Sequence, residues 1–397
     1  CIRDRHATAP SATEDFKFMI NIIQVFGSLN AGGAESRMLD VFRAIDRTKY
    51  QFIFVTLDTS DNQFYESEIR SLGGEIIKIS SPRQVGVLKH LRQLREVFAN
   101  LKTQGANVVH SHTSYHSGMV LAAAKAAGIK VRIAQARTTS SINKNTLSQK
   151  AMIAIGQRLL DIFATHRMAL NEETAIALFG KRNYATGKVS IIKNAIPLKR
   201  FQDPKDCDDL AFLPKDAVVI GHIGRFSPMK NHRFLIDFYE EFYRKEPRAH
   251  LVLVGDGPLR KDIEYRVAEK GLTAKVHFMG LRKDIPSILK RVNLFVFPSI
   301  FEGLPGSVLE AQAAGIPCLI ADTITPHVNM SLGLLKYVSL KAPMPKWIEY
   351  ASMLLMIEHP PYQLRYDAFN SAGFTLEYEL KQLIAVYENA YNNNDNL

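Results

Sequence analysis

Short apolar runs alternate with helical patterns along the first half of the chain. The runs are bounded by turn-forming residues and favour buried strands, and apolar residues three to four positions apart between them favour helices. We predict strands at 19–26, 52–57, 75–79, 108–110, 131–134, 168–170 and 189–193, and helices at 34–45, 84–101 and 117–127. This regular alternation predicts an α/β domain with a parallel sheet.

The same pattern restarts after a turn-rich, acidic segment at 194–213, which we interpret as an interdomain linker. We predict strands at 218–223, 249–254, 276–279, 294–298 and 317–321, helices at 231–243, 258–270 and 306–314, and helical sequence from about 343 onward. Two open α/β domains imply a cleft between them. Ligands of such sheets bind beyond the carboxyl ends of the strands, so the cleft is the predicted site.

Composition narrows the class of protein. The 397 residues suit two domains, and 46% apolar with 22% charged residues excludes a disordered, collagen-like or coiled-coil chain. Three scattered cysteines exclude a disulfide scaffold and favour a reducing compartment. No apolar run approaches the length of about 18 residues that spans a membrane, and residues 1–16 form a polar tail rather than a secretory signal. We therefore expect a cytoplasmic protein.

Charge is distributed unevenly. Residues 17–200 carry 26 lysines and arginines against 12 acidic residues, whereas residues 201–397 carry 22 against 24. A strongly basic half indicates an anionic partner. Nucleic acid, an acidic membrane surface and a phosphate-rich substrate all fit this charge.

Glycine-rich turns follow the first strand of each half. Gly32 and Gly33 precede a helix, where backbone N–H groups favour an anion, although a plain tight turn explains them equally well. The stretch lacks the GxGxxG pattern of a dinucleotide site. In the second half, Arg225 and Lys230 lie between strand and helix, where they could bind a diphosphate or simply be solvated cations.

The strongest motif is the segment 298–310. A strand ends, a Gly/Pro loop containing Glu302 follows, and Glu310 lies about one turn into the next helix. Free N–H groups at the start of that helix suit an anion, and carboxylates suit sugar hydroxyls.

Histidines follow a strand of the first half, at His110 and His112. A third metal ligand is missing nearby, so we predict no metal site, and one histidine could instead act near a reacting sugar or phosphate. The Asp206–Asp208 pair lies in the linker, where it is a solvated turn. The sequence contains neither a Walker A motif nor a nucleophile elbow.

From about Phe18 onward the chain resembles glycosyltransferase family 4, the retaining enzymes of GT-B architecture, and within it the bacterial capsular and exopolysaccharide enzymes. The resemblance rests on ordered stretches at 32–35, 109–112, 194–197, 224–231, 254–258, 278–280, 302–311, 321–326 and 338–340. It implies two Rossmann-like α/β domains facing a central cleft, an acceptor domain at 17–195, a donor domain at 196–372, and a helix within 373–397 that crosses back to the first domain. At position 327 this chain has a histidine, where the resemblance to this subgroup leads us to expect an acidic residue.

The resemblance also implies roles for individual residues. Glu302 would lie at the donor sugar and His112 near the anomeric carbon, both as catalytic residues, and Glu310 would hold the ribose hydroxyls. The remaining donor-binding residues would be Arg225, Lys230, Gly224, Gly255, Gly257, Gly280, Arg282, Gly303, Leu304 and Pro305. The acceptor-side loop would contain Gly32, Gly33 and His110.

The implied reaction moves a hexose or N-acetylhexosamine from a nucleotide-sugar, with UDP favoured over GDP, to a glycan or lipid-diphosphate-linked acceptor. It would need no cofactor and no metal, because cations and helix N-termini would meet the leaving diphosphate. The basic first half, including Lys89, Arg92, Lys144, Lys150 and Arg158, would then contact the anionic inner face of the plasma membrane rather than nucleic acid. The rival functions are a nucleotide-sugar epimerase, a two-lobed binding protein without catalysis, and a nucleic-acid binder.

Overall fold

The computed structural model describes residues 19–137 and 146–392. The apolar runs of the first half form one parallel sheet, ordered β3-β2-β1-β4-β5-β6-β7. Its strands are β1 (Ile20–Phe26), β2 (Tyr50–Thr56), β3 (Glu75–Lys78), β4 (Ala106–Ser111), β5 (Val131–Ala136), β6 (His166–Ala169) and β7 (Ser190–Ile191). Separate apolar clusters cover the two faces of this sheet, which explains why its central strands are almost continuously apolar.

The helices of this domain are α1 (Gly33–Ala44), α2 (Glu66–Ser71), α3 (Pro82–Val85), α4 (Val87–Thr103), α5 (Ser117–Ala126), α6 (Leu147–Phe163) and α7 (Glu172–Ala185). The prediction of a single helix at 84–101 is wrong, because Gly86 has a φ of +80° and separates α3 from α4. Ser81 and Gln84 form a capping box that begins α3 earlier than predicted.

The second half forms another parallel sheet, ordered β10-β9-β8-β11-β12-β13. Its strands are β8 (Val218–Ile223), β9 (Ala249–Val254), β10 (Val276–Gly280), β11 (Leu294–Phe297), β12 (Cys318–Ala321) and β13 (Leu335–Val338). Its helices are α8 (His232–Lys245), α9 (Arg260–Glu269), α10 (Ile285–Leu289), α11 (Gly306–Ala313), α12 (Met344–Leu354) and α13 (Tyr362–Ser371). The apolar pattern did not predict β13, an edge strand that is only partly buried.

The last described helix, α14 (Leu376–Asn392), returns to the first domain. Leu383 and Tyr387 join the same apolar cluster as Ile22 and Phe42. The Ala195 N–H donates to Glu379 at 2.8 Å, which fixes the start of this helix beside the segment that leaves the first sheet. The predicted return of the C-terminal helix is therefore confirmed, whereas the predicted tail at 1–16 lies outside the described residues.

Each sheet changes winding direction at its centre. In the first sheet β1 neighbours β4, and in the second β8 neighbours β11, so the loops that follow these strands diverge to opposite faces. The crevice at such a point is where open α/β sheets bind ligands. The predicted motifs follow β1, β4, β8 and β11, so they surround the two crevices.

Candidate active site

The loop after β1 leads into α1 through Gly32 and Gly33. Gly32 precedes the first helical turn in extended conformation, and an added Cβ there would collide with the Glu35 carboxylate. Glu35 thus folds back over the start of its own helix. Burial raises the pKa of this carboxyl, while its own backbone and Arg137 lower it. An added Cβ at Gly33 would have no heavy atom within 4 Å, so this side of the loop is open.

His112 follows β4 and is held on both ring nitrogens. Nε2 lies 2.8 Å from Gln24 Oε1, and Arg137 Nε donates to Nδ1 at 3.0 Å. The ring also stacks on Phe26 with 4.3 Å between centroids. Burial, together with the charges of His110 and Arg137, keeps the pKa of His112 well below its ordinary value, so the imidazole ring is neutral. The two hydrogen bonds fix the orientation of this uncharged ring.

His110 lies in a strand rather than in the predicted acceptor-side loop. It is part of β4, its side chain is fully buried, and its Nδ1 lies 2.9 Å from the Tyr387 hydroxyl of α14. The apolar pattern already predicts a strand at 108–110 that contains this residue, and β4 continues only one residue further, to Ser111. A residue inside a strand packs within the domain, so His110 does not line the loop that the resemblance implied.

The loops after β8 and β11 meet in the second domain. Lys230 Nζ lies 2.9 Å from Glu302 Oε1 and 4.5 Å from the centre of the Phe297 ring. Asn231 donates to the Pro298 carbonyl at 3.1 Å, which ties the two loops together. A cation and a carboxylate are therefore held side by side at the carboxyl ends of adjacent strands.

Glycines allow the loops after β8, β9 and β10 to pack backbone against backbone. Gly255 has a φ of +136°, and an added Cβ would collide with the Gly224 carbonyl. A Cβ at Gly257 would meet the Phe226 backbone in the same way. The Gly255 N–H donates to the Gly280 carbonyl at 2.8 Å. These glycines shape the floor of the second crevice.

The segment after Glu302 continues into α11. Gly303 has open space around it, Leu304 is half-buried, and Pro305 is buried immediately before the helix. Glu310, in the second half of α11, forms an ion pair with Arg37 of α1. The predicted ribose partner thus touches the first domain directly.

Arg282 and Arg225 differ from each other in their surroundings. Arg282 donates to Asp284 at 2.7 and 2.8 Å and also pairs with Asp209 of the linker. Its guanidinium is committed to these carboxylates, which does not suit the predicted contact with a nucleotide. Arg225 is exposed at the end of β8, and its side chain has no ion pair with any described residue. Arg225 therefore remains available to a ligand.

Sequence reasoning missed Arg37, Arg137 and Glu379. Arg137 directly follows β5, and this strand-end position was a usable signal. Arg37 and Glu379 lie inside helices, where nothing in the local pattern separates them from ordinary surface charges. Only the fold brings Arg37 to Glu310 and Glu379 to the Ala195 N–H.

Comparison with known proteins identifies the family. Residues 32–194 match the model of the glycosyl transferase 4-like domain, and residues 210–329 match that of the glycosyl transferases group 1. The putative glycosyltransferase EpsF of Bacillus subtilis is 32% identical over 371 residues, covering 92% of this chain and 96% of EpsF. The UDP-Gal:α-D-GlcNAc-diphosphoundecaprenol α-1,3-galactosyltransferase of Escherichia coli is 28% identical over 60% of this chain and 64% of its own length.

Solved structures agree on the fold. Anabaena HepE, crystallised with UDP and glucose, superposes with a TM-score of 0.70 at 18% identity over 93% of this chain and 99% of HepE. The lipopolysaccharide-biosynthesis glycosyltransferase WaaG gives a TM-score of 0.64 at 15% identity over 92% of this chain and 99% of WaaG. The chain belongs to glycosyltransferase family 4 and has the GT-B fold.

Proposed function

We propose that this glycosyltransferase moves a hexose or an N-acetylhexosamine from a UDP-sugar to a glycan or lipid-diphosphate-linked acceptor, with retention of configuration, in surface polysaccharide biosynthesis. The observation that carries the proposal is the meeting of the loops after β8 and β11. There the Lys230–Glu302 pair lies beyond the carboxyl ends of the two central strands of the second sheet. Glu310 of the following helix contacts Arg37 in α1, the helix that begins at the glycine loop of the first domain.

The donor side follows from charge. Lys230 and Arg225 would neutralise the diphosphate, and the N–H groups at the start of α11 would add the positive end of a helix dipole. Glu310 would accept hydrogen bonds from the ribose hydroxyls, and Glu302 would hold the transferred sugar. Within the described residues, no three His, Cys, Asp or Glu side chains form a group that could hold a metal ion. Metal independence is part of the proposal.

The proposed reaction makes use of these contacts. The bond between the anomeric carbon and the diphosphate oxygen breaks, and the leaving nucleotide keeps the electron pair. The acceptor oxygen attacks the same face, and its proton passes to the departing phosphate oxygen. The sugar passes through an oxocarbenium-like state, whose positive charge the nearby Glu302 carboxylate would stabilise. Water must be excluded, which a closed cleft achieves.

Relatives support the donor and the acceptor. HepE was crystallised with UDP and glucose, and the Escherichia coli relative uses UDP-galactose and a diphosphoundecaprenol-linked sugar. A Campylobacter jejuni relative, 26% identical over 76% of this chain, is an N-acetylgalactosaminyltransferase whose acceptor is also linked to diphospho-undecaprenol. An acceptor of this kind lies at a membrane surface.

The first domain offers a surface for such a membrane. Helix α6 exposes Met152, Ile155 and Ile162, each 56% accessible, together with the cations Lys150 and Arg158. At the start of α4, Leu88 is 85% accessible and lies beside Lys89. Apolar side chains flanked by cations suit the interface of an anionic bilayer. No helix in residues 19–137 or 146–392 is long and apolar enough to cross a membrane. Lys144, included in the predicted basic surface, lies outside the described residues.

Calorimetric titration with UDP and then GDP, in the presence of EDTA, tests the donor assignment. We expect UDP to bind and GDP to bind more weakly or not at all. Transfer from UDP-sugars to a diphosphoundecaprenol-linked acceptor then tests the reaction. Conversion of the sugar without an acceptor would instead indicate an epimerase, and binding without turnover would indicate a binding protein.

Flotation with vesicles tests the membrane surface. We expect the protein to float with vesicles containing anionic phosphatidylglycerol and to remain behind with neutral phosphatidylcholine. Ile155→Glu in α6 should reduce flotation, whereas Ile300→Glu, at an exposed isoleucine of the second domain near the donor site, should not. Equal recovery with both vesicle types would refute the membrane assignment.

A further inference from the structure

One buried ion pair joins the two domains at the site proposed for ribose. Arg37 of α1 donates through Nη2 to Glu310 of α11, and only 7% of Arg37 is accessible to solvent. Its guanidinium is also close to the first residue of α11, because an added Cβ at Gly306 would lie 3.5 Å from Nη2. Arg37 thus lies between the carboxylate proposed for ribose and the helix N-terminus proposed for the diphosphate.

The second partner of Arg37 is heavily shared. Asp40 is only 2% accessible and accepts from Arg37 at 3.0 Å, from Arg43 at 2.6 Å and from Arg200 at 3.2 Å. One carboxylate therefore serves three guanidinium groups. Burial alone would lower the pKa of Arg37. The carboxylates of Glu310 and Asp40 outweigh this effect and raise that pKa, so Arg37 stays charged.

Ribose and Arg37 compete for the same carboxylate. If ribose hydroxyls bind Glu310, the remaining partner of Arg37 is Asp40, a carboxylate that it shares with two other arginines. A buried charge that loses its partner is strongly destabilising. A neutral nucleoside cannot replace the lost charge. A nucleoside diphosphate can, because its phosphates would lie at the start of α11, next to Nη2.

We propose that Arg37 makes nucleotide binding conditional on the diphosphate, by exchanging Glu310 for the phosphates as ribose binds. Arg37 is then a specificity-determining residue of the donor site, supplied by the opposite domain. The proposal rests on the proposed function, since it takes Glu310 as the ribose partner.

Uridine and inorganic pyrophosphate test this exchange in the unaltered protein. We expect saturating pyrophosphate to tighten uridine binding about 10-fold in a calorimetric titration, because pyrophosphate supplies the partner that Arg37 loses. Binding of pyrophosphate at Lys230 and Arg225 alone would leave uridine affinity unchanged. An unchanged or weakened uridine affinity therefore overturns the proposal.

Two variants locate the coupling. Arg37→Met should bind uridine more tightly than the parent protein and should lose the effect of pyrophosphate. Arg43→Met is the matched control, because it removes a cation of the same helix that also contacts Asp40 but not Glu310, and it should keep the coupling. Coupling that survives in Arg37→Met overturns the proposal. Thermal unfolding checks that both variants fold, and Arg37→Lys, which keeps the charge, should retain part of the coupling.

Titration of the parent protein with UDP distinguishes failure of the proposed donor site from failure of the proposed role of Arg37. Failure to bind UDP would refute the proposed donor site and the role of Arg37 together. Binding of UDP with no coupling between uridine and pyrophosphate would refute the role of Arg37 alone.

Discussion

The crevice edges of the two sheets lie on opposite sides of the Arg37–Glu310 pair, and they use polar residues in opposite ways. At the first edge the neutral groups His110, His112, Gln24 and Tyr387 bond to one another and are largely buried. The charged Arg137 donates to His112 beside them. At the second edge the Lys230–Glu302 pair is charged and partly accessible. The polar groups of the first edge bond mainly to one another, whereas the second edge can exchange its contacts for those of a ligand.

This difference assigns separate tasks to the two edges. Neutral, mutually bonded groups give a fixed shape but stabilise little developing charge. Charged groups on glycine-rich loops can approach a diphosphate and respond to it. Changes at the second edge should therefore alter turnover and affinity, and changes at the fully buried Gln24, His110 and Tyr387 of the first edge should alter mainly the free energy of unfolding.

The largest effect is expected for Glu302→Gln. The substitution keeps the shape and a hydrogen bond to Lys230 but removes the charge that would stabilise the transition state. We expect turnover to fall about 100- to 1000-fold with little change in UDP affinity, measured by sugar transfer and calorimetry. Glu240→Gln is a matched control, because Glu240 also pairs with a lysine, Lys270, and its side chain is 23% accessible against 22% for Glu302. Equal losses in the two variants would contradict the role of Glu302.

The next largest effect concerns pH and the first edge. Burial, only partly offset by the Ala195 N–H and nearby arginines, raises the pKa of Glu379 from 4.5 to about 7. A raised carboxyl pKa means that the folded state binds the proton more tightly than the unfolded state. The resulting stabilisation is fully present below pH 4.5 and is lost as the pH rises through 7.

This contribution amounts to about 3 kcal/mol in the free energy of unfolding. Urea unfolding between about pH 4.5 and 8 should show it, and Glu379→Gln should flatten that part of the pH profile. Glu377→Gln, at an exposed position of the same helix, should leave the profile unchanged. A profile that Glu379→Gln does not alter would show that Glu379 is not the titrating group.

Glu310→Gln should have a smaller effect, on affinity. Hydrogen bonds from hydroxyls to a charged acceptor are stronger than those to an amide, so we expect UDP affinity to fall about 10-fold. Turnover at saturating donor should change less than in Glu302→Gln. If instead Glu310→Gln lost turnover and Glu302→Gln lost affinity, the roles of the two carboxylates would be exchanged.

The elements of the fold were predictable because their signals are local. Apolar runs predicted β1, β8 and β11, and a glycine or proline marks the loops that follow them. The break at Gly86 was missed because the apolar spacing continues across it, and β13 was missed because it lies at an edge and is half-buried. Local pattern carries little information about a backbone angle or about an edge strand.

Predictability of the site depends on whether the residues in contact are also close in sequence. The motif from Glu302 to Glu310 is continuous in sequence, so the sequence alone predicts that its residues act together. His110 bonds to Tyr387, which lies 277 positions away along the chain, and Glu310 pairs with Arg37, which lies 273 positions away. Such contacts depend on how two domains and a returning helix pack, which spacing alone does not encode.

The smallest effect is expected for Tyr387→Phe, and it decides whether the comparison holds. The Tyr387 hydroxyl lies 2.9 Å from His110 Nδ1 and 3.1 Å from Gln24 Nε2, and the ring is fully buried. Loss of the hydroxyl leaves these groups without that partner while the packing of the ring is kept, so we expect the free energy of unfolding to fall by about 1 kcal/mol. Urea unfolding measures this, with Tyr265→Phe, at a position 72% accessible, as the silent control.

UDP affinity and turnover of Tyr387→Phe should stay at the parent values, because the hydroxyl is buried inside the first domain. A loss of turnover in a variant that remains folded would mean that this hydroxyl reaches the chemistry through His110 and Gln24, and the first edge would then be catalytic rather than structural.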